Sequence, residues 1–166
     1  MFRTISDFLK SWDYESASTL KVLRELNDSS LDQRVTPDGR ALGFLAWHIT
    51  TTLSELPGQA GLEVDGPRQE DPVPASAAII AAAYQRAARN LAEVVESSWK
   101  DSQLAGEIPM YGERWTRGAT LSALIAHQCH HRGQMTVLMR QAGLKVPGVY
   151  GPAKEEWAAF GMQAQA

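Results

Sequence analysis

The stretch AHQCHHRGQ, residues 126–134, holds three of the four histidines in this 166-residue chain. Neutral imidazole is a common ligand for divalent metals, so histidines at this density raise the question of a metal centre. In a helix, His127 and His131 stand one turn apart, about 40° around the axis, and both rings can reach one ion. His130 lies only about 60° from His127, so spacing alone also permits that pair. The apolar stripe of Leu121, Leu124, Ile125, Met135, Leu138 and Met139 decides between them. His127 and His131 fall on one flank of it, whereas His130 falls on the far side. His130 is therefore read as an exposed bystander. Cys129, turned nearly opposite His127, is read as a small packed thiol.

The fourth histidine, His48 in FLAWHITT, sits on the flank of a second helical stripe. His48, His127 and His131 thus form a candidate metal set carried by two helices. Three histidines without an obvious fourth protein ligand are the pattern of an open, reactive site rather than a closed structural one. Zinc, nickel and iron all accept three imidazoles, and the donor set does not choose among them. Two familiar chemistries are excluded. A zincin helix needs Glu directly after its first His, and Gln128 stands there. Di-iron bundles need Glu three residues before each helical His, where this chain has Leu45, Leu124 and Gln128.

Other side chains near these positions carry chemistry of their own. Arg132 falls within the apolar stripe and needs either a buried ion-pair partner or an anion in the pocket. Gln134 is placed to orient a ligand or to bond another helix. Glu55, seven residues after His48 on nearly the same face, is either an orienting carboxylate or a solvated acid. Tyr111, Glu113 and Trp115, just before the last helix, either line the pocket mouth or simply pack.

Four amphipathic segments must position these groups. The first carries Ile5, Phe8, Leu9, Trp12, Leu20, Leu23 and Leu26, with Thr4 and Asp7 at capping-box spacing. The second carries Leu42, Leu45, Ile49, Leu53 and Leu56 and is expected to end before Pro57. The third follows PVPAS, with Ser76 as N-cap and Ile80, Tyr84, Ala87, Leu91 and Val94 on its stripe. The fourth spans about Thr120 to Ala142, with Gly143 at the C′ position. Long Pro- and Gly-rich stretches separate them, and Pro152 opens a short helix over AKEEWAAF. No strand-like alternation of convincing length is visible. The expected architecture is all-α: a four-helix bundle with long loops and a short C-terminal helix, one domain over residues 1–166. Phe44 and Trp47 point away from their own stripe, toward either covering loops or a subunit contact.

A net charge of -3 and a pI near 5.8 argue against a general nucleic-acid surface. The lone Cys129 excludes an internal disulfide and suits a reducing cytoplasm. No signal peptide is visible, and no apolar run approaches the ~20 residues that cross a bilayer.

The segments LAWHIT around His48 and AHQCHHRGQM around His127 and His131, above all the run His131 to Gln134, are similar to a known pattern. The chain resembles the DinB/YfiT-like superfamily of bacterial four-helix proteins, in which a His on the second helix joins an H-x-x-x-H pair on the fourth. Helix order, the loop before the third helix and the tail GLKVPGVYGP extend the resemblance over essentially the whole chain. It implies a homodimeric bundle holding a divalent metal, zinc or nickel, at His48, His127 and His131, with iron left open by the donor set. It also implies a small-molecule substrate and a metal-dependent hydrolase or an S-transferase acting with a low-molecular-weight thiol. The alternative is a non-catalytic bundle that uses metal for stability or serves as an interaction module.

Overall fold

The computed structural model describes residues 1–163; the last three residues of the expected domain lie outside the described part. Four long helices form the molecule: α1 (Ile5–Arg24), α2 (Leu42–Gln59), α3 (Ala77–Ser98) and α4 (Arg117–Gln141). Each of α1 and α2 packs on both α3 and α4, which leaves α1 and α2 across one diagonal of the bundle. Trp12 Nε1 donates to Ala88 O, and Leu26 lies beside Ala77, so α1 and α3 run antiparallel. Phe2 N–H reaches Gly118 O at the start of α4 and Arg132 meets Glu15 farther along, which makes α1 and α4 parallel. Gln33, ahead of α2, meets Gln141 at the end of α4, so α2 and α4 run antiparallel. Helices α2 and α3 are consequently parallel, which is why a long crossover must join them.

The core is the expected set of stripes. Phe8, Trp12, Leu23, Leu42, Ile49, Leu53, Ile80, Tyr84, Leu91, Leu121, Leu124 and Met135 are all buried. Thr4 caps α1 by accepting the N–H of Asp7 at 3.0 Å. Gly143, just beyond α4, has φ +72°, the left-handed conformation that favours glycine after a helix.

Four local expectations are corrected. Helix α2 continues through Pro57 to Gln59. A proline in the last turn removes only one N–H, and the ring of Pro57 is buried while its carbonyl accepts from Ala60 and Leu62. Ser76 is the N-cap residue of α3, but its side chain makes no capping bond. The carboxylate of Asp28 takes the N–H of Ala77 at 2.8 Å instead, a tertiary cap from 49 residues away. The stretch before α4 contains an antiparallel hairpin, β1 (Glu107–Met110) and β2 (Glu113–Thr116), closed at Tyr111 and Gly112. Both turn residues have positive φ, +49° and +84°, as a two-residue primed turn requires. Four-residue strands, one containing Pro109, are too short to register as alternation. The C-terminal AKEEWAAF segment forms a 3₁₀ helix over Lys154–Phe160, one residue later than Pro152 suggested.

The two aromatics that point off the α2 stripe have different fates. Trp47 is buried, and its Nε1 donates to Asp71 O in the crossover loop at 3.0 Å. Phe44 remains 40% exposed and lies over the imidazole of His48. Among the described residues, no helix is long and apolar enough to cross a membrane.

Candidate metal centre

Gln128 sets the register that brings the histidines together. It stands seven residues after Leu121, at the centre of the α4 stripe, where an amide must find partners or lose stability. It is fully buried, donates from Nε2 to Ile49 O at 2.9 Å and accepts the Tyr84 hydroxyl at 3.1 Å. One side chain thus ties α4 to α2 and α3. Because Gln128 adjoins His127 and Ile49 adjoins His48, this bond places those two imidazoles opposite each other. By type alone Gln128 marks only the absence of a zincin Glu. Its position inside the apolar stripe is the signal that it holds the helices in register.

The Nε2 atoms of His48 and His127 lie 3.1 Å apart. The His131 ring centroid is 4.7 Å from that of His48 and 4.4 Å from that of His127. One nitrogen from each of the three residues lies within 4.8 Å of the others, and no Asp, Glu or Cys joins the cluster among the described residues. Two nitrogens bound to one tetrahedral zinc at about 2.0–2.1 Å stand roughly 3.3 Å apart, so the spacing of His48 and His127 suits a shared ion. The buried Nδ1 of His127 has no hydrogen-bond partner among the described residues.

Protonation favours the same use. Burial lowers the pKa of all three imidazoles, and neighbouring positive charge lowers that of His48 further. For His127, burial followed by the fields of His131 and His48 brings it down to about 4. At neutral pH the rings are uncharged, with lone pairs free for a cation. These depressed values also set a pH dependence for the metal-free protein. A histidine whose folded pKa lies below its unfolded 6.5 binds fewer protons folded than unfolded in the window between the two values. Metal-free stability should therefore be level above pH 6.5 and fall as the pH drops toward about 4. Thermal unfolding of the chelated protein across this range, beside His127→Phe, checks it. The wild type should lose more of its midpoint on acidification than the variant.

Gln134 orients His131. Its Oε1 lies 2.8 Å from His131 Nδ1, and its Nε2 lies 3.1 Å from His130 Nε2. If Gln134 accepts the Nδ1 proton of His131, Nε2 is left with its lone pair toward the cluster, the usual support for a ligating imidazole. His130 is exposed, as its wheel position implied, but it is the outer end of this chain rather than an isolated bystander. Gln134→Ala should weaken metal binding by about 10–100-fold without changing stoichiometry, measured by competition with a chromophoric chelator. Equal affinity in the variant would reduce Gln134 to a surface residue.

The remaining candidates lie elsewhere. Arg132 is 3% exposed and donates to the Glu15 carboxylate at 2.7 Å, the buried ion-pair partner its position demanded. Tyr150 donates its hydroxyl to the same carboxylate at 2.8 Å, and Arg132 lies over its ring. Cys129 is half-buried beside this group, with Sγ 2.8 Å from the Tyr150 hydroxyl. Glu55 accepts the Tyr111 hydroxyl at 2.9 Å, a bond that ties the hairpin tip to α2. Burial and the adjacent Glu55 carboxylate raise the Tyr111 pKa to about 12. Trp115 packs edge-on to Tyr111, and Glu113 accepts the Trp115 Nε1–H. These residues form a small cluster of their own at the hairpin.

Comparison with known proteins gives this arrangement a family. The model of the DinB family matches residues 1–165. The chain belongs to the DinB family. It is 46% identical over 164 residues to the uncharacterized protein YrdA of Bacillus subtilis (strain 168), covering 99% of this chain and 98% of that one. The crystal structure of a DinB-like protein from Bacillus cereus ATCC 10987 superposes with a TM-score of 0.87 at 45% identity, covering 90% of this chain and 100% of that one. A second DinB-like protein, YjoA of Bacillus subtilis, shares the fold at a TM-score of 0.68 and 18% identity, over 88% of this chain and 98% of its own. The DinB fold therefore accounts for the whole bundle, and the three-histidine cluster lies between its second and fourth helices.

Proposed function

We propose that this DinB-family protein holds one divalent metal ion at His48, His127 and His131. We further propose that it acts on a small molecule as a metal-dependent hydrolase or as an S-transferase using a low-molecular-weight thiol. The observation that carries the reading is the convergence of three uncharged imidazoles with no fourth protein ligand in the cluster among the described residues. The donor set accepts zinc, nickel and iron alike, and the family resemblance favours zinc or nickel. A bound divalent ion would supply Lewis acidity, acidifying water or thiol at its open positions. The protein's own part is to keep the imidazoles neutral by burial, to fix His131 through Gln134, and to hold the two helices in register through Gln128. Three neutral ligands leave the ion's charge uncompensated, which favours anionic forms of whatever binds opposite them.

The same reading takes the protein as a homodimer of the reducing cytoplasm that binds neither nucleic acid nor membrane. Support for this is the net charge of -3, the free thiol of Cys129 and the family resemblance. Sedimentation at micromolar concentration tests the dimer. Function is tested by elemental analysis of the untagged protein, then by thiol transfer to electrophiles and by ester and amide hydrolysis. Stoichiometric metal with turnover that disappears in His48→Ala supports the proposal. Metal uptake with no turnover in either class would leave a metal-stabilised bundle, and no uptake would leave an interaction module.

A further inference from the structure

Each of the three histidines is followed in sequence by a member of a buried hydrogen-bond chain. Gln128 follows His127 and donates from Nε2 to the carbonyl of Ile49, which follows His48, at 2.9 Å. The Oε1 of Gln128 accepts the hydroxyl of Tyr84, on α3, at 3.1 Å. Arg132 follows His131 and donates from Nη1 to Thr19 Oγ1, on α1, at 3.1 Å. Thr19, Tyr84 and Gln128 are all fully shielded from solvent. Successive side chains on a helix diverge by about 100°, so the imidazoles reach the flank while these anchors point into the core.

The polarity of the chain is fixed at its two ends, because a backbone carbonyl can only accept and a guanidinium can only donate. Ile49 O takes the amide NH2 of Gln128, which leaves the amide oxygen for Tyr84, whose hydroxyl must donate. Burial raises the Tyr84 pKa, so this proton is retained, and a hydrogen bond with Thr19 offsets part of the rise. The donors thus run in one direction, from Arg132 by way of Thr19, Tyr84 and Gln128 to the backbone of α2. Bonds in such a series strengthen one another. The last torsion of a glutamine is broad, so the bond to Ile49 alone would leave the amide plane loosely set. The Tyr84 hydroxyl is the second constraint, and without it the buried Oε1 has no donor.

We infer that the Tyr84 hydroxyl is a positioning group for the candidate metal centre, acting through Gln128 on the spacing of His48 and His127. The inference rests on the metal reading of the three histidines. It brings a third helix into the site: α3 supplies no imidazole but sets how α2 and α4 present theirs. The two Nε2 atoms stand 3.1 Å apart, and metal–nitrogen bonds of about 2.0–2.1 Å tolerate little drift from that spacing. A buried polar group two bonds removed from the imidazoles is well placed to hold it, since ligands are kept at working geometry by the groups that support them.

The test uses the full chain loaded with cobalt(II), whose absorption bands report coordination geometry and whose affinity is read by chelator competition. Tyr84→Phe removes the hydroxyl and keeps the ring. It should weaken cobalt binding roughly tenfold and shift the bands. Val95→Ala, about three turns farther along α3 and fully buried, destabilises the core without touching the chain and should leave both readouts as in the wild type. Gln128→Met keeps the volume and breaks the link, so it should bind cobalt at least as weakly as Tyr84→Phe, and combining the two should cost nothing further. Wild-type bands and affinity in Tyr84→Phe overturn the positioning role alone. An equal loss in Val95→Ala, or losses that add in the double variant, overturn it as well. Absence of cobalt bands in the wild type overturns the metal reading and this inference with it.

Discussion

Replacing His131 or His48 with alanine is expected to abolish stoichiometric metal binding, whereas His130→Ala leaves one metal per chain. The three rings lie within 4.9 Å of one another centroid to centroid, and the candidate cluster draws one nitrogen from each of them, so each replacement removes one of only three donors. Structural zinc sites gain roughly 10–16 kcal/mol from four ligands, or about 2.5–4 kcal/mol each. Losing one of three should therefore weaken binding by a factor on the order of 10² or more. His130 packs edge-on to His131, with centroids 4.8 Å apart, and its Nε2 meets Gln134, but it lies outside the three-nitrogen cluster, so its removal should cost a few-fold at most. The measurement is metal content after dialysis, with affinity by competition and circular dichroism to establish that each variant folds. Loss of the metal in His130→Ala alone would show that the α4 flank has been assigned to the wrong ring.

The second large effect concerns stability rather than chemistry. Glu15→Ala should destabilise the fold by about 3–5 kcal/mol, because it strands the Arg132 guanidinium in the core. Arg132 is held by Glu15 Oε2, Glu15 O, Thr19 Oγ1 and the Tyr150 hydroxyl, all within 3.2 Å. Burial alone would pull the Arg132 pKa down, yet its bonds and charge pairing with Glu15 hold it above its ordinary value. Guanidinium is so weak an acid that Arg132 stays charged even when Glu15 is removed. Against a total of about 5–15 kcal/mol, such a loss should lower the thermal midpoint by on the order of 10 °C. Arg132→Met should cost a similar amount, and the double variant less than the two losses combined, since no unpaired charge remains. Denaturant unfolding of the metal-free forms measures all three. Additive losses would mean that the two side chains contribute separately and that the ion pair itself is of little consequence.

This ion pair also closes the C-terminal tail onto the bundle. Tyr150 reaches Glu15 and Arg132, Tyr14 donates to Val149 O, and Lys21 Nζ donates to Gly148 O at 3.0 Å. The irregular segment after α4 is thus fixed by polar contacts to α1, although it forms no regular element of its own before the 3₁₀ turn.

The sequence by itself determined the four helices, their buried stripes, and which faces of α2 and α4 carry His48, His127 and His131. Helical period and apolar pattern are local properties, so the position of Leu121 already located its neighbours on the wheel. It also required that Arg132 have a partner, because a guanidinium within an apolar stripe cannot stay buried alone. Which partner that is depends on contacts across the bundle. Glu15 lies 117 residues from Arg132, and nothing in the local pattern ranks it above the chain's other acids. The cap of α3 by Asp28 and the Tyr111–Glu55 link are equally hidden, since each joins elements that no periodicity pairs. The decisive tertiary fact is the bond from Gln128 to Ile49. Periodicity says which way a histidine faces on its own helix. Only the relative slide and rotation of two helices bring two such faces together, and here a buried amide sets both.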